Sequence, residues 1–311
     1  MTVPIGRVAV LMGGWSSERQ VSIWSGETVL AALQSEGFDT VAVDVRTPAE
    51  LFALPSLGVS HAFNVLHGTG GEDGTVQAVL DLLGIRYPGC GVLASALAMD
   101  KLQTKRLWRA EGLPTADWQC VESAEALAAA AEAFGYPLIV KPAADGSSVG
   151  ISKIKSPGEV AAAWALARGD GAAGQTVLAE RFIPGAEYTC AVIGDQALPL
   201  IRIEPDGEFY DYNAKYLSDK TYYHCPAGLD PAHERALQAL CLNAFAVLGG
   251  RGWGRVDFLM ADDQRPFLLE VNTLPGMTSH SLVPLAARTA GIAIGPLCRR
   301  LLETTLTEAR G

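Results

Sequence analysis

The chain has 311 residues, 49% of them hydrophobic, which is enough to bury a substantial core and to form about two or three domains. With 24 Lys and Arg residues against 34 Asp and Glu residues, the net charge is −10, which argues against general binding to nucleic acids or to anionic membranes. The sequence has no Cys-x-x-Cys pair, no signal-peptide core and no run of ~18 apolar residues, so we expect a cytoplasmic protein with free thiols.

The first segment, residues 1–94, has the pattern of a doubly wound domain. Apolar strands alternate with amphipathic helices, and this order is typical of a parallel sheet. The predicted elements are a strand at 7–11, a helix at about 21–34, strands at 40–45 and 62–66, and a helix at about 76–83.

The middle segment, residues 95–180, is predicted to be a small α+β domain. Its helices are predicted at 95–111 and 124–134, and its strands at 138–141, 151–154 and 177–180. The glycine-rich return between the first two of these strands predicts antiparallel pairing.

The last segment, residues 181–311, is predicted to be a second α+β domain. Strands are predicted at 188–193, 197–203, 255–258 and 268–272, with a helix at about 233–248 and another at the C-terminus. The fold class is therefore α/β, with one doubly wound domain followed by two α+β domains.

Two carboxylates are predicted to face each other in the last hairpin. If the turn centres between residues 263 and 264, Asp257 pairs with Glu270 and Arg255 with Asn272, and the strand period of two places all four side chains on one face. The two carboxylates and the Asn272 amide oxygen are hard donors of the kind that Mg²⁺ prefers. The alternative is a solvated hairpin whose charges are balanced by Arg255 and water.

A glycine loop follows a lysine in the middle segment. Lys141 ends a strand, and the flexible residues 146–150 come soon after it with amides and hydroxyls that could fold over phosphates. The loop is neither a P-loop nor a dinucleotide fingerprint, and an ordinary hairpin turn is the alternative.

Two polar groups lie at the strand ends of the first segment. Glu18, which follows a Gly-Gly pair, could hold a substrate ammonium, although Ser16 or Ser17 could equally be capping a helix there. His67 follows an apolar strand and precedes a glycine-rich segment, so we expect it to be exposed and to contact a ligand; the alternative is an unremarkable loop histidine.

Residues 275–282 have the pattern of a helix start. Ser and Thr residues precede an apolar helical stretch, so one of them is expected to cap the helix, and the free amides could attract a substrate carboxylate.

Taken together, these motifs closely resemble those of the D-alanine:D-alanine ligases, which are ATP-grasp enzymes. The matching segments occur in the family's order over nearly the whole chain, and those at 215–219 and 272–281 are especially specific. They are residues 13–18, 67–74, 99–101, 141–142, 146–150, 210–219, 252–257 and 270–282.

The resemblance implies a three-domain ATP-grasp architecture with ATP between the middle and last domains. It implies ATP contacts at Lys101, Lys141, Ser148, Glu180, Glu187 and Lys215. It implies catalytic roles for Glu18, Ser147, Tyr216, Arg255 and Gly276, and substrate binding by His67, Ser281 and Leu282. The metal ligands implied are Asp257, Glu270 and Asn272, holding two Mg²⁺ or Mn²⁺ ions.

The activity implied is the ligation of two D-alanine molecules through a D-alanyl phosphate, for peptidoglycan precursor synthesis. A homodimer is also implied. Ser147 belongs to a loop expected to close over the site, where it would link Tyr216 and Glu18. Trp15 stands where the family commonly has a small polar residue, which leaves the contacts beside the first substrate open.

Three other functions are weighed against this one. A D-alanine:D-lactate ligase would differ only in the second substrate, and Tyr216 is the residue type associated with D-alanine there. A nucleotide-binding regulator would be expected to lack a metal ligand or Arg255, and all of these are present. An NAD-dependent oxidoreductase is disfavoured because the glycine fingerprint is missing.

Overall fold

The computed structural model describes residues 5–144, 150–169, 176–205 and 221–306. The strands are Val8–Gly13 (β1), Thr40–Val45 (β2), His61–Asn64 (β3), Trp118–Val121 (β4), Leu138–Pro142 (β5), Ser152–Ile154 (β6), Val177–Arg181 (β7), Gly185–Ile193 (β8), Gln196–Ala197 (β9), Ile201–Glu204 (β10), Tyr222–His224 (β11), Trp253–Ala261 (β12) and Pro266–Asn272 (β13). The helices are Arg19–Ser35 (α1), Pro48–Phe52 (α2), Thr75–Leu82 (α3), Val92–Met99 (α4), Lys101–Ala110 (α5), Ala124–Phe134 (α6), Val160–Arg168 (α7), Pro231–Val247 (α8), Leu282–Thr289 (α9) and Ile294–Thr304 (α10).

The strands of the described residues form three sheets. The first is parallel, in the order β2-β1-β3, and the second is antiparallel, in the order β4-β7-β5-β6. The third is antiparallel, in the order β11-β10-β8-β12-β13, with β9 also paired to β8. The predicted α/β class, with a parallel sheet first and antiparallel sheets after it, is confirmed. Among the described helices, none is both long and apolar enough to cross a membrane.

Each of the two largest hydrophobic cores combines elements from different segments of the chain. Strand β1 is buried at every position, and one side of its sheet shares a core with α1, α9 and α10. Helices α4 and α5 pack with α8 and the third sheet, where Trp108 is fully buried and its indole N–H donates to Ala244 O at 3.0 Å. The domain boundaries at residues 94 and 180 stay a prediction.

The single helix predicted at 95–111 is wrong, because the structure has two helices there. Asp100 lies between them in an extended conformation, and its carboxylate accepts hydrogen bonds from Leu102 N and Gln103 N at 2.9 and 3.1 Å. An Asp that caps the next helix in this way ends the previous one. Helix α5 therefore begins at Lys101, and Lys105 lies one turn later on the same face.

The single strand predicted at 197–203 is also interrupted. The structure has the short β9 and then β10, which begins at Ile201. Pro199 lies between them, and a proline has no N–H with which to continue a ladder.

The hairpin of β12 and β13 has the predicted pairs at the functional positions. Asp257 faces Glu270 and Arg255 faces Asn272, but Phe258 pairs with Leu268 because a bulge follows Asp257. The turn is therefore centred half a residue earlier than predicted, and the bulge restores the register. Without the bulge, Asp257 and Glu270 would point to opposite faces of the sheet, since a one-residue slip in the register turns every side chain of a strand to the other face.

Candidate active site

Asp257 lies at the centre of a charged face on the third sheet. Its carboxylate accepts two hydrogen bonds from Arg255, from Nε at 2.8 Å and from Nη2 at 2.7 Å. It also accepts from the Thr189 hydroxyl at 2.5 Å and from Asn272 Nδ2 at 3.0 Å. The strands alternate, so their other face is apolar and packs under α8. Asp257 is thus buried and fixed, with only 4% of its surface exposed.

Glu270, on the edge strand β13, is linked to helix α5. Its Oε2 lies 3.2 Å from Lys101 Nζ. Lys101 is held at the start of the helix, where its N–H donates to Ala143 O at 2.8 Å. The structure therefore brings a predicted ATP ligand and a predicted metal ligand into contact.

A second charged cluster lies between α5 and the middle sheet. Glu180 Oε1 is 2.9 Å from Lys141 Nζ and 3.3 Å from Lys105 Nζ. All three residues are buried, and Lys105 completely so. Burial lowers the pKa of Lys105 to about 8, against the opposing effect of the Glu180 charge. Burial also favours the neutral form of Glu180, but the charges of both lysines outweigh it and hold the pKa of that carboxyl below its usual value.

Lys105 was not among the predicted site residues. Glu180 was expected near ATP, and in this structure its carboxylate faces two lysines. The signal in the sequence is the spacing of Lys101 and Lys105, since residues four apart lie on one face of a helix.

The prediction that His67 is exposed is wrong, because only 3% of its surface is accessible. Its Nε2 lies 3.2 Å from the Ser25 hydroxyl, and its Nδ1 lies 3.8 Å from Glu72. The Ser25 hydroxyl also accepts a hydrogen bond from Met277 N at 3.1 Å. Helix α1 therefore contacts the histidine, and Ser25 links this contact to the loop before α9.

The predicted serine caps are not formed at either helix. Glu18 occupies the N-cap position of α1 without a side-chain cap bond, and it is mostly buried. The Ser16 hydroxyl accepts from Glu18 N at 3.1 Å and donates to His67 O at 2.6 Å, so it ties the two loops together. Ser281 occupies the N-cap position of α9, but its hydroxyl accepts from Thr278 N at 3.0 Å instead.

The loop before α9 is closely packed around Gly276. A side chain added at Gly276 would place its Cβ 2.7 Å from the Ser281 hydroxyl, closer than packing allows. Leu282, the first residue of α9, is buried. A side chain at this position would therefore displace the hydroxyl of Ser281, which is itself a predicted substrate ligand.

The remaining predicted residues divide into two groups. Glu187 is partly buried on β8, on the same face as Thr189 two residues later. Four others, Ser147, Ser148, Lys215 and Tyr216, lie outside the described residues. In the part of the chain that the structure describes, no group of three or more His, Cys, Asp or Glu side chains could hold a metal ion, and the predicted metal set has only two carboxylates with an amide.

A parallel-sheet unit is followed by two antiparallel sheets, with a buried lysine and glutamate paired on the middle one and opposed carboxylates on the last. This arrangement defines the chain as an ATP-grasp protein. Family models described as the D-ala D-ala ligase C-terminus and N-terminus match residues 107–303 and 52–90. The chain belongs to the D-alanine–D-alanine ligase family.

Individual relatives agree with this assignment. The D-alanine–D-alanine ligase B of Chromobacterium violaceum is 53% identical and covers 96% of this chain and 97% of its own length. A crystal structure of the Bacillus anthracis D-alanine–D-alanine ligase complexed with ATP has a TM-score of 0.81 and 34% identity, and covers 98% of each chain. The VanG D-Ala:D-Ser ligase of Enterococcus faecalis has a TM-score of 0.84 and 28% identity, and covers 97% of this chain and 100% of its own.

Proposed function

We propose that the protein joins two D-alanine molecules into D-alanyl-D-alanine with consumption of ATP, for peptidoglycan precursor synthesis. The observation that carries the proposal is the opposed pair of Asp257 and Glu270, held beside Arg255 and Lys101 in a chain of this family. Opposed carboxylates can hold a divalent cation, and cations of this kind, like those of Arg and Lys, bind nucleotide phosphates.

The first step is the activation of a carboxylate. A carboxylate is a poor acyl donor, so its oxygen attacks the γ-phosphate of ATP, ADP leaves, and a D-alanyl phosphate forms. We propose that Lys101 and Lys141 balance phosphate charge. Lys101 is at the start of α5 and Lys141 is near the end of β5, and these two segments are joined by the hydrogen bond from Lys101 N to Ala143 O. Lys215, Ser148 and Glu187 are further proposed ATP contacts, on the resemblance alone.

The donor set at the hairpin fits a divalent cation. Asp257, Glu270 and the Asn272 side chain supply hard oxygen donors on one face of two paired strands. When bound there, Mg²⁺ or Mn²⁺ would neutralise phosphate charge. We propose two such ions at these ligands, beside the ion pairs that Arg255 and Lys101 form with the two carboxylates.

The second step forms the amide bond. The amine of the second D-alanine attacks the acyl carbon, phosphate leaves, and the amine proton is released. Arg255 and the Gly276 N–H are the proposed donors to the tetrahedral oxyanion. His67, Ser281 and Leu282 are the proposed substrate contacts.

Closure of the site is assigned to a hydrogen-bonded set. Glu18, Ser147 and Tyr216 are proposed to position the substrates together, and exclusion of water by their loops would protect the acyl phosphate. Ser147 and Tyr216 lie outside the described residues, so this rests on the resemblance.

We also propose that the protein is cytoplasmic and forms a homodimer, as the resemblance to the ligase family implies. Light scattering on the purified protein would give a mass about twice that of the chain if the dimer forms. A mass equal to the 32.8 kDa chain at micromolar concentration would contradict it.

The decisive experiment measures phosphate release with Mg-ATP and separates the products by chromatography. Release that depends on D-alanine, absent with L-alanine, and accompanied by a D-alanyl dipeptide supports the proposal. Mixtures of D-alanine with D-lactate or D-serine test the second site, because a relative with the same fold is named for D-serine. No release from folded protein that binds ATP would favour the regulator instead.

A further inference from the structure

Lys105 is a charged residue whose side chain is not accessible to a ligand. Its side chain is fully buried, and its Nζ donates to the Thr115 hydroxyl at 2.7 Å while lying 3.3 Å from Glu180. Lysines are almost never fully buried unless they are paired. A leucine or methionine would fill this helical position at lower cost, so the charge calls for an explanation.

Glu180 is shared between this lysine and the one at the edge of the site. Lys141 is 2.9 Å from the same carboxylate oxygen and retains some exposure, whereas Lys105 has none. With both lysines protonated, two positive charges and one negative charge leave the cluster with a net charge of +1. That surplus lies next to the strand end at which we place the phosphates of ATP.

We propose that Lys105 is a positioning residue: by sharing Glu180 it prevents that carboxylate from neutralising Lys141, which keeps a positive charge for a nucleotide phosphate. This inference rests on the proposed function. Without Lys105, Glu180 would have Lys141 as its remaining partner in this cluster, and each phosphate contact would compete with a buried ion pair.

The same lysine connects the cluster to the third sheet. The Thr115 hydroxyl that accepts from Lys105 donates in turn to Leu268 O at 2.9 Å, and Leu268 precedes Glu270 on β13. Leu268 N also donates to Pro114 O at 2.9 Å. The relay thus fixes Lys105 against the strand that carries a proposed metal ligand.

The geometry has a pH consequence. The charged groups acting on Lys105 are Glu180 on β7, Lys141 on β5 and Arg109 on its own helix. Burial lowers the pKa of Lys105 to about 8, so its proton is lost as the pH rises through that value. Above that pH, Lys105 is neutral and Lys141 is the remaining charged partner of Glu180 in this cluster, so the KM for ATP of the wild-type protein should rise.

The test is the variant Lys105→Met, compared with Arg106→Met on the exposed side of the same helix. Loss of a charged partner predicts about a tenfold higher KM for ATP at pH 7, with the KM for D-alanine changed less than about twofold. Arg106→Met should leave both constants unchanged. The dissociation constant of ATP, from calorimetry, should rise in parallel with its KM.

The pH profile separates this role from a merely structural one. The KM ratio of variant to wild type should fall from about ten at pH 7 towards one at about pH 9.5, because the wild type then lacks the same charge. A ratio that does not vary with pH, or an unchanged ATP affinity in an active Lys105→Met protein, overturns the inference.

A second variant covers the case in which Lys105→Met does not fold. Thr115→Val removes the acceptor of Lys105 while keeping the side-chain shape, and about a threefold higher KM for ATP is expected. An unchanged KM in that variant would count against the relay. Absence of ATP-dependent activity in the wild type would instead contradict the proposed function, so the two failures are distinguishable.

Discussion

The charged cluster around Glu180 and the charged cluster of the hairpin, around Asp257 and Glu270, differ in how their charges are compensated. In the middle cluster, the buried carboxylate of Glu180 forms ion pairs with both Lys105 and Lys141. In the hairpin cluster, Asp257 is buried but Glu270 remains partly exposed, with Lys101 as its neighbour. The first is a fixed internal support with surplus positive charge, and the second has oxygen donors available to a ligand.

This difference indicates that the two sheets have different roles in the reaction. A buried ion network is costly to disturb, so it can hold a lysine in place through a catalytic cycle. A partly exposed carboxylate can exchange one cation for another at little cost. We therefore expect substitutions at the hairpin to act on the rate, and those at the middle cluster to act on ATP affinity.

The largest effect is expected for Asp257→Asn. Losing this carboxylate removes a proposed metal ligand and the partner of Arg255, and a loss of ~4 kcal/mol in transition-state stabilisation lowers kcat about a thousandfold. Steady-state phosphate release would measure it. Asp263→Asn, at the exposed turn of the same hairpin, should leave kcat unchanged. Equal activity of the two variants would contradict the assignment of the site.

Arg255→Lys should have the next largest effect. Lysine keeps the charge but cannot donate two parallel hydrogen bonds to Asp257, so the proposed oxyanion donor is misplaced and kcat falls about a hundredfold. Rapid-quench measurement of the acyl phosphate and the dipeptide would locate the loss in the second step. A normal rate of dipeptide formation would exclude Arg255 as an oxyanion donor.

Ser25→Ala should have the smallest effect of the three, because it acts through neighbours. It leaves Met277 N without its hydrogen-bond acceptor and removes a partner of His67, which is expected to lower kcat/KM for D-alanine about tenfold. The matched control is Thr28→Ala, whose hydroxyl donates to Trp24 O within the same helix. If both variants lower kcat/KM equally, the link from α1 to the loop before α9 has no role in the reaction.

Much of the hairpin site could be predicted because it depends on local rules. Side-chain alternation in two strands and a short turn are enough to oppose Asp257 and Glu270. The predicted centre of the turn was wrong by half a residue, and the bulge after Asp257 compensated for it. A bulge has no reliable sequence pattern here, so the agreement depended on a feature that only the structure reveals.

The errors arose where side chains take partners that local propensity does not specify. His67 was expected to be exposed because its neighbours in sequence are glycines and carboxylates, yet Ser25 and Glu72 enclose it. The expected Ser or Thr cap of α9 is not formed, because the hydroxyl of Ser281 at the N-cap accepts from Thr278 N in the preceding loop. Local propensity indicates which bonds are possible, and tertiary packing selects among them.

The α/β class, many of the strands and helices, and the pairing of the hairpin carboxylates could be predicted from the sequence alone. These features follow from periods of two and 3.6 residues and from turn residues close in the chain. Only the tertiary structure decided that Lys105 and Lys141 share Glu180 and that His67 is buried. Charge pairing and burial depend on distances between segments far apart in sequence, and no local pattern specifies those distances.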